Sequence, residues 1–187
     1  TCALPICMKL NNIELKTEAA PYLRKLVHIL GLPVQMAILE GNEAVFIEKI
    51  ESINAFRMYS QIGKRIPLYA SGVGKILLSQ NTDEEILSEL SKVTFETFTH
   101  RTLTSPESVL DEIKEARKQG YAIDNEEHEE GIFCIAAPIY DYRGQIIAAI
   151  SVGGKEPQFI TDKRAEHITL IKETARDISR RLGYTKY

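Results

Sequence analysis

The residues Ser71-Gly72-Val73-Gly74-Lys75 have the types and spacing that could bind an anion. They follow a polar loop and open a predicted helix that reaches Leu78. The first turn of a helix leaves backbone N–H groups without intrahelical partners, and the helix dipole adds partial positive charge. Glycines let a ligand approach these groups closely, which predicts a pocket floor for a small carboxylate. Alternatively, Gly72 and Gly74 only permit a tight loop and close helix packing.

This segment is not a nucleotide-binding P-loop, because the GxxxxGK[ST] spacing is absent. Ile76 follows Lys75 at the position where a magnesium-binding hydroxyl would be needed. We therefore predict no cofactor for this segment or for the rest of the chain.

The acidic run Asn125–Glu130 is a second group that could do chemistry. It holds a single imidazole, His128, and its spacing matches no zinc-binding motif. We therefore predict no metal site and interpret the run as a solvated acidic loop. Because the run connects Asp124 to a strand that carries Cys134, it could also act as a lid over a pocket.

Cysteine chemistry is a further possibility at Cys134, which lies inside an apolar strand. A lone cysteine there is usually a small core residue, although it could in principle be a nucleophile with a histidine base. Nothing in the sequence places a histidine near it; the four are His28, His100, His128 and His167. Three cysteines are too few for a disulfide framework, which indicates a reducing, cytoplasmic setting.

Length and composition indicate one globular domain of ordinary size. The chain has 187 residues, of which 44% are hydrophobic and 26% are charged. A formal net charge of −3 provides no basic field for nucleic acid. No apolar run reaches the roughly 20 residues that a membrane span requires, so no membrane interaction is predicted.

Helices and strands must position these residues. The first helix is predicted over Thr17–Leu30, with Pro21 in its first turn, because apolar residues recur at helical spacing. The strand-like runs Val34–Leu39 and Ala44–Ile50 flank a Gly-Asn turn, which predicts a hairpin. Phe56–Ser60 is the predicted third strand.

Three later helices carry local signals. Thr82 followed by Glu85 is a capping box, and Ser105-Pro106 combines an N-cap with a proline in the first turn. The last helix is predicted over Asp162–Leu182, with apolar residues spaced by three and four.

A second hairpin is predicted from Ile132–Tyr140 and Gln145–Val152, with Gly153-Gly154 ending its second strand. Both strands are almost wholly apolar, which indicates a sheet covered on both faces. Two antiparallel groups joined by a helical crossover predict an α+β fold, with a mixed, mainly antiparallel sheet flanked by helices.

Two blocks of the sequence resemble the effector-binding domain of the IclR family of bacterial transcription regulators. They are PLYASGVGKILL and GYAIDNEEHEEGIFCIAAPIYDYRGQIIAAISVGG, and the resemblance covers nearly all of Thr17–Tyr184. Within the family, FRMYSQIGKRIPLY, DNEEHEEG and ISRRLGYTKY most resemble the KdgR-type subgroup, whose members respond to 2-keto-3-deoxygluconate.

The resemblance implies a GAF/profilin-like fold and a pocket for a small organic acid effector, whose binding is relayed to DNA binding by a repressor. Family members carry an N-terminal winged helix-turn-helix, and no such motif fits before Thr17. We therefore assign residues 13–187 to the effector-binding domain, residues 1–12 to a linker remnant or added residues, and DNA binding to a segment outside this sequence. The resemblance also implies a homodimer or homotetramer.

The resemblance further implies the ligand-binding residues, which are Gly72, Val73, Asp124, Cys134, Ser151, Met58 and Ile66. Backbone N–H groups of Gly72 and Val73 would hold the ligand carboxylate. Asp124, Cys134 and Ser151 would supply polar contacts, with Met58 and Ile66 on the apolar side. Each side chain has a structural alternative: a turn cap for Asp124, core packing for Met58 and Cys134, and an ordinary strand-end position for Ser151.

Two other functions remain open from the sequence. One is a small enzyme acting on a keto acid, which would need a positioned base or nucleophile. The other is a pure oligomerisation module that uses a sheet edge or the last helix. We predict a regulator domain that is not an enzyme.

Overall fold

A six-stranded sheet with helices on both faces organises the fold. The computed structural model describes residues 3–52, 60–155 and 163–186. The strands run in the order β3-β2-β1-β6-β5-β4, and each of the five pairings is antiparallel. Their bounds are β1 Val34–Glu40, β2 Glu43–Ile50, β3 Arg65–Pro67, β4 Ala122–Asn125, β5 Ile132–Tyr140 and β6 Ile146–Lys155.

Five α-helices and one 3₁₀ turn complete the described chain. The helices are α1 Ala3–Leu30, α2 Gly72–Leu78, α3 Asp83–Leu90, α4 Pro106–Gln119 and α5 Lys163–Arg181, and the 3₁₀ turn is Leu68–Ala70. Among the described residues, no helix combines the length and apolar character needed to cross a bilayer.

The two faces of the sheet bury separate hydrophobic cores. One core packs α2, α3 and α4 against the sheet, and the other packs α1 and α5 against the opposite face. The apolar seam of α5 belongs to the second core, where Ile171, Ala175 and Ile178 are buried. This seam therefore serves packing within the chain, and both faces of the sheet are covered as predicted.

The first helix is longer than predicted. It begins at Ala3 rather than Thr17, and Pro21 lies inside it rather than in its first turn. The Thr17 hydroxyl donates a 2.8 Å hydrogen bond to the carbonyl of Ile13, one turn earlier. This is the bond of a threonine in a helix interior, so the first turn lies further towards the N-terminus.

Two strand predictions have different outcomes. Most of the predicted strand Phe56–Ser60 lies outside the described residues, and the third described strand is Arg65–Pro67. The prediction that Gly153-Gly154 ends the last strand is wrong. Gly153 pairs with Cys134 and Gly154 pairs with Phe133, so the ladder continues to Lys155.

Candidate functional site

A cavity lies beside the beginning of α2, between strands from both halves of the sheet. Its empty volume is about 510 Å³, including the open mouth. The predicted site residues that line it are Ile66, Gly72, Val73, Asp124, Cys134 and Ser151. Met58 lies outside the described residues. The fold therefore brings together residues that are up to 85 positions apart, counted from Ile66 to Ser151.

The start of α2 is built around Ser71, which is extended at φ −152° and ψ 145°. Its hydroxyl accepts a hydrogen bond from the N–H of Gly74 at 3.1 Å, as an N-cap serine does. Gly72 and Val73 come before Gly74 in the same turn, and neither of their N–H groups has a hydrogen-bond partner within the described part of the chain.

Packing requires a glycine at position 74 and leaves only limited space at position 72. A Cβ on Gly74 would overlap the carbonyl of Leu68. A Cβ on Gly72 would lie 3.3 Å from the Cβ of Ala136 and 3.5 Å from the backbone nitrogen of Asp124. Close packing therefore accounts for Gly74, and the N–H groups of Gly72 and Val73 belong to residues that line the cavity.

Asp124 is buried in the cavity wall at the end of β4. Its Oδ1 accepts a 2.8 Å hydrogen bond from the N–H of Glu127, so it also caps the acidic turn. Burial raises the pKa of Asp124 to about 7, and the neighbouring carboxylate of Glu127 adds to this shift. Hydrogen bonds from the loop backbone and the charge of Lys75 oppose it. Asp124 is thus a carboxyl group that can change charge near neutral pH.

Behind Asp124 lies a buried ion pair that sequence reasoning missed. The Nζ of Lys75 lies 2.7 Å from Oε1 of Glu127, 2.9 Å from the carbonyl of Ile123 and 3.4 Å from Oε2 of Glu112. The side chain of Lys75 is wholly buried. One available signal was its position within the apolar run GVGKILL, where a buried cation requires a partner.

The prediction of a solvated acidic loop is therefore wrong for Glu126 and Glu127, which are both buried. Glu127 compensates Lys75, which is why a carboxylate is retained inside the protein. Burial raises the pKa of Glu127, and the charge of Lys75 opposes this rise. The Oε2 atom of Glu127 has no hydrogen-bond partner among the described residues.

The connector from Val93 to Leu103 fastens this loop. The hydroxyls of Thr99 and Thr102 donate 2.6 Å hydrogen bonds to the carbonyls of Glu126 and Glu127. The ring of His128 lies 4.8 Å from that of Phe98, measured between centroids. The predicted lid position is therefore occupied by a loop that side chains of a second segment hold in place.

His128 shares the cavity with Cys134, although no sequence pattern placed a histidine near this cysteine. Burial, followed by the charge of Asp124, raises the pKa of the Cys134 thiol well above its usual value. Burial and the charge of Lys64 lower the pKa of His128. The thiol is therefore neutral at pH 7, which disfavours a nucleophilic Cys134.

A row of polar side chains crosses the cavity wall at Ser151. Its hydroxyl donates to Oε1 of Gln35 at 3.2 Å, and Nε2 of Gln35 donates to the hydroxyl of Ser60 at 2.7 Å. Gln35 and Ser151 face each other in the β1–β6 pairing. Gln35 and Ser60 were missed, although Gln35 is the single amide in the apolar run of β1.

Lys64 is the cationic residue of the cavity lining, which also contains Glu129. Burial lowers the pKa of Lys64, and the charge of Glu129 opposes this. The cavity thus combines two backbone amides, an amine, an amide, an imidazole, three hydroxyls and two carboxyl groups with an apolar wall that includes Ile66. Such a set can bind a small anion that also carries oxygen acceptors and donors.

Comparison with known proteins identifies the fold. The family profile described as "Bacterial transcriptional regulator IclR C-terminal" matches residues 7–180. The chain belongs to this family. Its members are transcriptional regulators, which confirms the prediction of an IclR-type regulator domain that is not an enzyme.

The IclR relatives include two named groups. AllR, a transcriptional repressor of Escherichia coli K12, is 39% identical over 174 residues, which are 93% of this chain and 64% of AllR. KdgR, a transcriptional regulator of the same strain, is 36% identical over 178 residues, or 95% of this chain and 68% of KdgR. The chain thus spans just under two thirds of the length of AllR.

Solved IclR structures confirm the predicted α+β fold class. The C-terminal domain of E. coli KdgR is 34% identical with a TM-score of 0.82, over 91% of this chain and 99% of that one. Thermotoga maritima IclR is also 34% identical, with a TM-score of 0.86, over 91% of this chain and 69% of that one. An IclR homologue from Microbacterium hydrocarbonoxydans, complexed with 4-hydroxybenzoate, is 26% identical with a TM-score of 0.82 over 91% and 69%.

Proposed function

We propose that this IclR-type effector domain binds a small keto or sugar acid, such as 2-keto-3-deoxygluconate, in the cavity beside α2. The observation that carries the proposal is the pair of N–H groups at Gly72 and Val73, which line the cavity and have no hydrogen-bond partner among the described residues. Amides at a helix start are suited to a carboxylate because their dipoles point towards it. The amine of Lys64 adds positive charge to the same cavity.

The remaining lining residues suit the rest of such a ligand. Ser151 and Gln35 offer a hydroxyl and an amide that can exchange their mutual hydrogen bond for ligand oxygens. Asp124 faces the hydroxyl or keto groups, whereas Ile66 and Cys134 contact the carbon chain. Met58 is assigned to the apolar side on the family resemblance alone.

Two relatives support the choice of a carboxylate. The Microbacterium homologue binds 4-hydroxybenzoate, which is a small carboxylate, and it shares this fold over 91% of the chain. The KdgR relatives support a sugar acid, because the family resemblance connects that group with 2-keto-3-deoxygluconate.

In the complete regulator, DNA binding would reside in a part outside this chain, and the complete regulator would act as a repressor in the bacterial cytoplasm. The ligand can shift the regulator only by its difference in affinity for the two conformations. A change from mostly DNA-bound to mostly released requires roughly 5 kcal/mol of such difference. The regulator would assemble as a homodimer or homotetramer, and a monomer in light scattering at high concentration would contradict this assembly.

Calorimetric titration with 2-keto-3-deoxygluconate, related sugar acids, pyruvate and glyoxylate tests the ligand class. We expect at least one acid to bind, and we expect pyruvamide, the uncharged amide of pyruvate, to bind more weakly than pyruvate. Absence of binding by every acid at millimolar concentration would overturn the proposal. Equal affinities for pyruvate and pyruvamide would show that the cavity does not recognise the negative charge of the carboxylate.

A further inference from the structure

An anionic ligand in the proposed cavity would lie close to acidic side chains. Asp124 and Glu129 line the cavity directly. Glu127 lies behind Asp124 and contacts it through the 2.8 Å bond from its backbone N–H. A ligand carboxylate held at α2 therefore enters beside a buried acid, because Gly72, Val73 and the buried Asp124 line the same cavity.

Charged or titratable groups lie around Asp124 on the elements packed near it. They are Lys75 on α2, Glu112 on α4, Lys64 before β3, Cys134 on β5, and Glu127, His128 and Glu129 in the loop. Lys75 is the nearest cation behind Asp124, and Glu127 and Glu112 already engage its amine. The balance of charge around the buried Asp124 carboxyl therefore favours its neutral form once a second anion arrives.

We propose that the effector enters this cavity together with one proton from the solvent, and that Asp124 holds this proton. The protonated carboxyl then donates its O–H to a ligand oxygen, while Oδ1 continues to accept from the backbone of Glu127. This inference rests on the proposed function, because it concerns the ligand of the same cavity. No bond other than the new O–H is formed or broken.

Asp124 carries this proton better than its neighbours. Lys75 pairs with Glu127 at 2.7 Å and opposes the rise in its pKa that burial causes. Glu129 is only partly buried, so water and salt screen its repulsion of the ligand. Burial raises the pKa of Asp124 to about 7, so a part of the free domain already holds this proton at neutral pH.

Proton uptake is measurable by titrating the acid that binds most tightly, in buffers with different ionisation enthalpies such as PIPES and Tris. We expect a fraction of a proton per ligand at pH 7 and a larger fraction at pH 8, because the free carboxyl loses its proton as the pH rises. Affinity should fall by up to tenfold for each pH unit above about 7.

The variant Asp124→Asn identifies the carrier, since its amide oxygen can still accept from Glu127. We expect it to abolish proton uptake and to flatten the pH dependence of the remaining affinity. Glu129→Gln and His128→Asn should keep the uptake, whatever their effect on affinity.

Ligand binding by the unmodified domain without proton uptake would overturn this inference and leave the proposed function standing. Uptake that persists in Asp124→Asn would also overturn it. Failure of every acid to bind would overturn both.

Discussion

Lys75 and Glu127 form an ion pair across 52 positions of sequence, with 2.7 Å between Nζ and Oε1 and almost no exposure of either side chain. The pair joins the second turn of α2 to the acidic loop. It therefore connects the two segments that enclose the cavity. Removal of one partner leaves a buried charge without compensation, which costs far more than the pair contributes.

Lys75→Met should lower the free energy of unfolding by about 3–5 kcal/mol, because it leaves Glu127 charged and buried. Urea denaturation of the variant measures this loss. The double variant Lys75→Met/Glu127→Gln is the control, since it removes both charges, and it should lose less than the sum of the two single variants. Strictly additive losses would contradict the coupling.

Asp124 should make the domain less stable as the pH rises from about 4 to 7. Its folded pKa of about 7 lies above the usual value of 3.8, so the folded state binds the extra proton in this interval. This contribution to stability is fully present below the pKa of the unfolded state, and it is lost as the pH rises through the pKa of the folded state. Across the whole interval it amounts to about 4 kcal/mol.

Other acids such as Asp83 and Asp141 have lowered pKa values and act in the opposite direction. The measurement is therefore the difference in unfolding free energy between the unmodified domain and Asp124→Asn, followed by urea denaturation from pH 4 to pH 8. The variant should gain stability relative to the unmodified domain as the pH rises. A constant difference would show that Asp124 does not titrate in this range.

Gly72→Pro should weaken binding of an acid about tenfold or more relative to Gly72→Ala. Both variants add the same Cβ near Ala136, but only proline removes the backbone N–H that would bind the carboxylate. Proline is tolerated in the first turn of a helix, and the preceding Ser71 is already extended. Calorimetric titration of both variants measures the ratio, and equal affinities would exclude this amide from the site.

A larger residue at position 72 should affect both binding and the fold. Gly72→Val should weaken ligand binding, because its side chain crowds the approach to the backbone N–H group. The first added carbon already meets Ala136 at 3.3 Å, so valine should lower the melting temperature as well.

Thr102→Val should loosen the acidic loop. The Thr102 hydroxyl accepts from the N–H groups of Phe98 and Thr99 and donates to the carbonyl of Glu127. We expect a loss of about 1–3 kcal/mol and faster amide hydrogen exchange across residues 126–131. Thr104→Val is the matched control at an exposed site. Unchanged exchange in Thr102→Val would show that the connector does not hold the loop.

Local signals predicted much of the fold. The capping box at Thr82 and Glu85 and the N-cap at Ser105 are confirmed because both depend on residues three positions apart. The Gly-Asn hairpin between β1 and β2 is confirmed for the same reason, with Gly41 at φ +63°. The start of α1 was missed because no single residue marks it.

The site was less accessible to sequence reasoning because it depends on contacts over long separations. The family resemblance supplied the positions of Asp124, Cys134 and Ser151, and the fold brings them into one cavity. Periodicity could not show that Glu127 turns inward to Lys75, since the acidic run has the composition of an exposed loop. Nor could it pair Gln35 with Ser151, whose strands are adjacent only in the folded sheet.

The neighbouring positions of β1 and β6 have a consequence for synthesis of the protein. Gln35 and Ser151 are 116 positions apart, yet they are joined by one hydrogen bond in the cavity wall. A growing chain on the ribosome can form the β1–β2 hairpin early, but the inner edge of β1 stays open until β6 has emerged. The complete sheet would therefore form only after β6 has been synthesised, and chains that stop before Ser151 would expose an unpaired strand in its place.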